Sequence, residues 1–243
     1  MKKVNVNEWQ VALVFKNGAY KKMLLAGNYW FWKNEQVLIY DITKQFVAPV
    51  ELNILLQDQA LADILQVIEV KESEIVLQYE NGLLKQVFSA GRYAFWKSVV
   101  KNEFIRADIS RVEIDESIDR SLLSKAPLNN WVRSTEVQSN EKAVLFMDAK
   151  MVRLLEPGIY YWWKNPVSIQ VAKADMRRQQ MEVNGQEILT RDKAALRINA
   201  WLQYQVTDIE KALVQNKEYE KQLYVAVQLA LREYIAAYSF DEL

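Results

Sequence analysis

The sequence predicts an α+β chain: small antiparallel β repeats in tandem, then a longer β segment and C-terminal helices. Three observations predict it. An aromatic motif of seven residues is written three times, as GNYWFWK (27–33), GRYAFWK (91–97) and GIYYWWK (158–164). Ahead of the first two, an alternating apolar run ends in Asn17-Gly18 or Asn81-Gly82, a pair that tolerates the two positive φ angles of a tight hairpin turn. Past Asp208 the apolar spacing changes from a period of two to that of a helix.

The motifs belong to a longer repeat. Gly91 follows Gly27 by 64 residues, and at that offset Val11 falls on Ile75, Leu13 on Leu77 and Phe15 on Tyr79. Gly158 follows Gly91 by 67 residues, in a more worn copy with Asp148-Ala149 in place of Asn-Gly. An aspartate closes each copy, at Asp41, Asp108 and Asp175. Beyond it copies one and three stay in register, Ile54-Leu55 matching Ile188-Leu189 and Asp58 matching Asp192. The expected organisation is a first β repeat at 1–66, a second at 67–134 and a third at 135–243 that runs on into helices.

Within a copy, Val11, Leu13 and Phe15 alternate with Ala12, Val14 and Lys16, the pattern of a half-buried strand. The hairpin turn and a second strand follow, and Gly27, Gly91 and Gly158 sit where that strand bends before its aromatic end. In the first motif Tyr29 and Phe31 point to one face and Trp30 and Trp32 to the other, so one pair fills the copy's core and the other needs a cover. In tandem repeats the cover is commonly the neighbouring repeat or chain. The candidate packing residues are Tyr29, Phe31 and Trp32, then Tyr93, Phe95 and Trp96, then Tyr160, Trp162 and Trp163. A connector such as LLQDQALADILQV, helical or irregular, leads to the next copy.

After Asp175 the chain predicts a turn at Asn184-Gly185, a hairpin tip at Thr190-Arg191-Asp192 and a strand through Val206 with Trp201 on its polar face. Thr207-Asp208 caps a short helix. A helix from about Glu218 to Tyr238 carries Leu223, Val227, Leu231, Tyr234 and Tyr238 on one stripe. Val225, Leu229 and Ala236 widen that stripe beyond what one small sheet covers, which makes them candidates for an oligomer interface.

Composition excludes much chemistry. With no histidine and no cysteine, there is no Ser-His-Asp or Cys-His nucleophile, no usual zinc site and no disulfide. Basic and acidic residues balance at 31 each, so no global field attracts nucleic acid. No apolar stretch approaches the ~20 residues of a spanning helix, and Asn5, Asn7 and Glu8 interrupt any N-terminal signal-like run. The recurring aspartates fit turns better than catalysis. Asp58 with Asp63, and Asp115-Glu116 with Asp119, lack the ligand number of a calcium loop. Arg177-Arg178 fits a solvated strand edge. No metal, cofactor or catalytic residue is expected.

From about residue 135 the chain resembles the SPFH or band 7 family of stomatins, prohibitins and flotillins, with stomatin-like slipins the nearest flavour. The resemblance is carried by Asp175 and Arg177, the run Gln186 to Asp192, the strand through Val206, Asp208, Leu231-Arg232 and Phe240-Asp241-Glu242-Leu243. It implies an SPFH domain after the repeats and a non-enzymatic scaffold built of many copies of itself in a ring or cage. Two departures stand out: the space where the family carries a hydrophobic anchor holds two aromatic repeats, and the usual coiled-coil continuation is expected beyond Leu243. The order of small β repeats, SPFH-like domain and helix is similar to that of the major vault protein, which implies a cytoplasmic, vault-like cage. The alternative is a peripheral scaffold at a membrane surface that organises membrane proteins or proteases, and a carboxylate-only hydrolase stands last.

Overall fold

The computed structural model describes residues 1–97 and 100–243, and one five-strand plan recurs in it three times. The first set is β1 (Lys2–Val6), β2 (Gln10–Lys16), β3 (Ala19–Leu24), β4 (Gly27–Phe31) and β5 (Glu35–Asp41). Helices α1 (Leu52–Leu55) and α2 (Gln59–Ile64) follow. The second set is β6 (Leu65–Val70), β7 (Glu74–Glu80), β8 (Leu83–Phe88), β9 (Gly91–Trp96) and β10 (Asn102–Asp108). The third is β11 (Val132–Val137), β12 (Glu141–Met147), β13 (Lys150–Leu155), β14 (Gly158–Trp163) and β15 (Ile169–Asp175). Each set makes a three-stranded sheet, β3-β2-β5, β8-β7-β10 or β13-β12-β15, and a two-stranded ribbon, β1-β4, β6-β9 or β11-β14. The chain divides into two compact units, residues 1–132 and 133–243.

The turns take the geometry their residues dictate. Asn17 and Gly18 have φ of 52° and 80°, Asn81 and Gly82 have 51° and 83°, and Asp148 and Ala149 are held at 48° and 62°. In the third copy the conformation persists although the glycine has gone, so Ala149 carries a backbone strain its counterparts avoid. A bulge recurs beside each turn, between Val14 and Phe15, Gln78 and Tyr79, and Leu145 and Phe146.

Two expectations are corrected. The aromatic segment does not end the second strand; it opens a strand of its own, in the ribbon, and the glycine marks the jump from sheet to ribbon. Nor is the central strand half-buried. Residues 11–15 of β2 are all buried, as are Ile75, Val76 and Leu77 of β7 and Ala143, Val144 and Leu145 of β12.

In unit 1 the reason is visible. One core gathers Val11, Leu13 and Phe15 of the first copy, Phe46, Leu52, Leu55 and Leu61 of the connector, and Leu65, Ala94 and Trp96 of the second ribbon. The second copy's ribbon thus closes the first copy's sheet, and residues from 1–66 and 67–134 share that core. The ribbon's opposite face, with Ile68, Val70 and Phe95, packs on Val76 and Phe88 of its own copy. A ribbon is therefore apolar on both faces wherever a sheet lies on each side of it.

Unit 2 continues past β15 into the long hairpin β16 (Gln179–Leu189) and β17 (Ala195–Tyr204), a single turn of π-helix at Lys211–Gln215, and α3 (Tyr219–Ala237), which packs on β16. Asn184-Gly185 is not a reversal. It is a bulge inside β16, where the register passes from Val183 opposite Ala200 to Gln186 opposite Ile198; Gly185 takes a φ of 68° and its N–H donates to Asn199 Oδ1 at 2.8 Å. The match of copies one and three beyond their aspartates also ends at sequence. Ile54-Leu55 lies in and beside the buried face of α1, whereas Ile188-Leu189 ends a strand. The first segment must curl to bury Leu52 and Leu55; the second is held extended by its hairpin partner.

Candidate functional site: aromatic ribbons and an uncovered helix face

The three aromatic strands share one local device. Tyr29, Tyr93 and Tyr160 lie back over the glycine two residues earlier, and each hydroxyl donates to the carbonyl four residues earlier: Leu25 at 3.0 Å, Ser89 at 3.1 Å and Glu156 at 2.8 Å. A Cβ on Gly27 or Gly91 would stand 3.1 Å from the tyrosine oxygen. The glycine makes room for the ring, and the ring covers the backbone that the glycine leaves bare. The constant Gly-x-Tyr spacing was the signal in the sequence; its hydrogen bond was not foreseen.

Beyond the tyrosine the copies diverge. Phe31, Phe95 and Trp162 are buried, as inward-facing residues of each ribbon. On the outward face Trp96 is 4% exposed and Trp163 is 1% exposed, but Trp32 is 68% exposed and Trp30 beside it 61%. Trp96 meets Phe46 edge to face, with centroids 4.9 Å apart, and the Phe46 N–H donates to the Ala94 carbonyl at 3.1 Å. In the first copy the Lys3 ammonium stands 6.0 Å from the centre of the Trp30 ring. So Tyr29 and Phe31 serve the copy itself, and Trp32 is bare.

The closing aspartates are turn residues. Asp41 Oδ1 accepts from the N–H (2.9 Å) and hydroxyl (2.7 Å) of Thr43, and Asp108 Oδ1 likewise from Ser110 (2.8 and 2.6 Å). Asp175 accepts from the Arg177 N–H at 2.8 Å, from the Arg177 guanidinium and from Asn140 Nδ2 at 2.9 Å. These donors hold all three carboxyls below the usual range; the Arg177 guanidinium acts most strongly at Asp175, and the Thr43 and Ser110 hydroxyls at the others. Asp58 and Asp63 are also structural. Asp58 caps α2 through the Ala60 N–H and binds the edge strand β3 through the Tyr20 hydroxyl at 2.6 Å, while Asp63 accepts from Gln59. Asp115 and Asp119 accept from Ser117 and Ser121. Among the described residues no group of three or more carboxylates is placed to hold a metal ion.

In unit 2 the hairpin tip and the C-terminal turn lock together. The Arg191 N–H donates to the Tyr238 carbonyl at 2.8 Å, the Arg191 guanidinium pairs with Glu242 at 2.8 Å, and the Phe240 N–H donates to Asp192 Oδ1 at 3.1 Å. The two motifs 190–192 and 240–243, separate in sequence, are one contact. Asp192 and Glu242 are both held below the usual carboxylate range, the first chiefly by the Thr190 hydroxyl and the second by the Ser239 N–H.

That latch fixes α3 by its end. Ile235 is buried and Leu223, Val227 and Leu231 are half-buried, which defines the stripe facing the sheet. Tyr234 and Tyr238, expected on that stripe, are 59% and 39% exposed and touch each other instead. Val225, Leu229 and Ala236 are exposed, spaced by four and seven residues along one side. No helix among the described residues is long and apolar enough to cross a membrane.

Residues 135–243 match the SPFH domain / Band 7 family. Over this segment, less than half of the chain, the protein is similar to that family. The matched segment runs from within β11 through the rest of the third five-strand set, the long hairpin and α3, so the first two sets precede it. An uncharacterized protein of Methanocaldococcus jannaschii is 30% identical over 106 residues, 44% of this chain and 52% of that protein. Stomatin homologs of Pyrococcus horikoshii and Pyrococcus abyssi are each 32% identical over 107 residues, 44% of this chain and 40% and 39% of theirs. The chain thus spans about half or less of the length of these relatives.

Proposed function

We propose that the protein is a non-enzymatic SPFH scaffold that assembles with copies of itself into a closed ring or cage, the outward side of α3 forming the seam. The observation that carries this reading is the pair of aliphatic side chains Val225 and Leu229, 50% and 59% exposed on a helix whose other side is already packed. Isolated exposed leucines are ordinary, but an apolar row along one helix is what a neighbour covers. Side-by-side copies make a heterologous contact, which closes into a ring or continues as a filament. The carboxylates that an enzyme would need are occupied as turn and cap acceptors, which supports the non-enzymatic reading.

Multi-angle light scattering on the full-length protein tests it. Assemblies of many subunits are expected, and Val225→Glu with Leu229→Glu should reduce them to small species whose circular dichroism is unchanged. A wild-type protein that is monomeric at micromolar concentration overturns the reading. A second reading, a peripheral scaffold at a membrane surface acting on membrane proteins or proteases, is favoured by the bare indoles of Trp30 and Trp32.

A further inference from the structure

The β1–β4 ribbon and the β6–β9 ribbon are the same object in two settings, and their outward faces differ in kind. On β6–β9 that face pairs Val67 with Ala94 and Leu65 with Trp96, and it is covered. The small Ala94 lets the backbone at Phe46 come within hydrogen-bonding distance. On β1–β4 the matching pair is Lys3 with Trp30, followed by Asn5 with Asn28. An indole where alanine stood blocks that approach of a covering strand. An ammonium where valine stood would lose its water under a dry protein cover, a large cost without a paired carboxylate. This face has not merely lost its neighbour; it is built for a surface that accepts indole and ammonium side by side.

Such a surface is the headgroup region of a bilayer, where Trp rings lie at the boundary of water and hydrocarbon and lysines reach the phosphates. Trp30 and Trp32 project from one face, two residues apart. Lys2 and Lys3 lie on β1 and Lys33 follows Trp32, all exposed. The neighbouring carboxylate, Glu35, is engaged by the Trp32 N–H at 2.9 Å. We infer that the outward face of the β1–β4 ribbon, through Trp30, Trp32 and Lys3, docks on a membrane surface that carries anionic phospholipid headgroups. The inference rests on the membrane-surface reading above and adds to it the face and the lipid class.

Cosedimentation of the full-length protein with phosphatidylcholine vesicles, with and without phosphatidylserine, tests it. The wild type should pellet with the phosphatidylserine vesicles and be released by salt. Trp30→Ser with Trp32→Ser should lower the vesicle partition coefficient about tenfold or more, and Lys3→Ala by about fivefold, since each lysine near an anionic surface contributes about that factor. Trp201→Ser, which removes an indole 61% exposed on β17, should leave binding unchanged. Unaltered thermal melts of these surface variants establish that they are folded, and Lys3→Ala reads the face without removing a large side chain. A wild type that binds no vesicle overturns the membrane-surface reading together with this inference. A wild type that binds while the ribbon variants bind equally well keeps that reading and overturns the face. Equal binding to phosphatidylcholine alone overturns the anionic class, and loss of self-association instead of vesicle binding assigns the face to a second copy.

Discussion

The first and the last five-strand sets are finished differently. At the last set, the sheet face that bears Val144 and Phe146 is covered by residues that follow β17: Val206, Ile209, Ala212, Leu213 and Tyr219 form one core with it. At the first set, the ribbon face with Trp30 and Trp32 meets solvent. Stacked repeats are usually closed at both ends by a polar or dedicated cap. Here the residues that follow β17 cover the sheet of the last set, whereas the ribbon of the first set bears indoles and lysines. A face that is closed by its own chain serves folding, whereas a face left open at such cost in exposed aromatic area is available for something outside the fold.

Cutting the same tryptophan from two ribbons separates a covered face from a bare one. Trp96→Ala should cost about 3–5 kcal/mol, the usual loss for a large aromatic in a closed core, and Trp32→Ala less than about 0.5 kcal/mol. Denaturant melts read both; equal losses would mean that Trp32 is covered in solution. Ile209→Ala, 5% exposed in the cap core, should cost about 2–4 kcal/mol and loosen unit 2.

The turns come next in size. Gly18→Val and Gly82→Val should each destabilise by about 1–2 kcal/mol, because a β-branched residue resists a φ of 80° or 83° although no atom lies within 4 Å of the new Cβ. Ala149→Gly should act in the opposite direction and stabilise by up to about 1 kcal/mol, since it relieves a φ of 62°. A loss of stability on Ala149→Gly would show that the third turn is held by something other than its φ.

The smallest effect is one of pH. Asp192 and Glu242 have folded-state pKa values below their unfolded ones, so the stability they supply is complete above the unfolded carboxylate range, about 4, and is lost as pH falls through the folded values. Amide exchange at Ser239 and Phe240 should therefore stay slow at neutral pH, beyond its intrinsic pH dependence, and accelerate on acidification before the core amides do. Arg191→Ala should shift that acceleration to higher pH.

Much of this was legible because it is local. The Asn-Gly pairs fix their turns, the aspartates followed two residues later by Thr43, Ser110 or Arg177 fix theirs, and the spacing of Leu223, Val227 and Leu231 fixes which side of α3 is packed. What escaped was set by partners distant in sequence. Val11, Leu13 and Phe15 alternate as a half-buried strand would, yet Ala12 and Val14 are buried too, because ribbon and connector close β2 from both sides. Asn184-Gly185 carries a turn signature, but β17 runs alongside and holds it as a bulge. Trp32 and Trp96 are indistinguishable within their motifs; what separates them is the cover that Phe46, the connector and the first copy's sheet give Trp96.

The shared core also orders events during synthesis. Leu13 and Phe15 leave the ribosome well before Leu65, Ala94 and Trp96, and the side of their sheet that faces the connector stays open until those residues have been made. For the span of those eighty residues the nascent chain carries an apolar sheet face without its lid. Pausing of translation before residue 96 should therefore prolong capture by chaperones, and release should coincide with the emergence of Trp96, not with the end of the first copy.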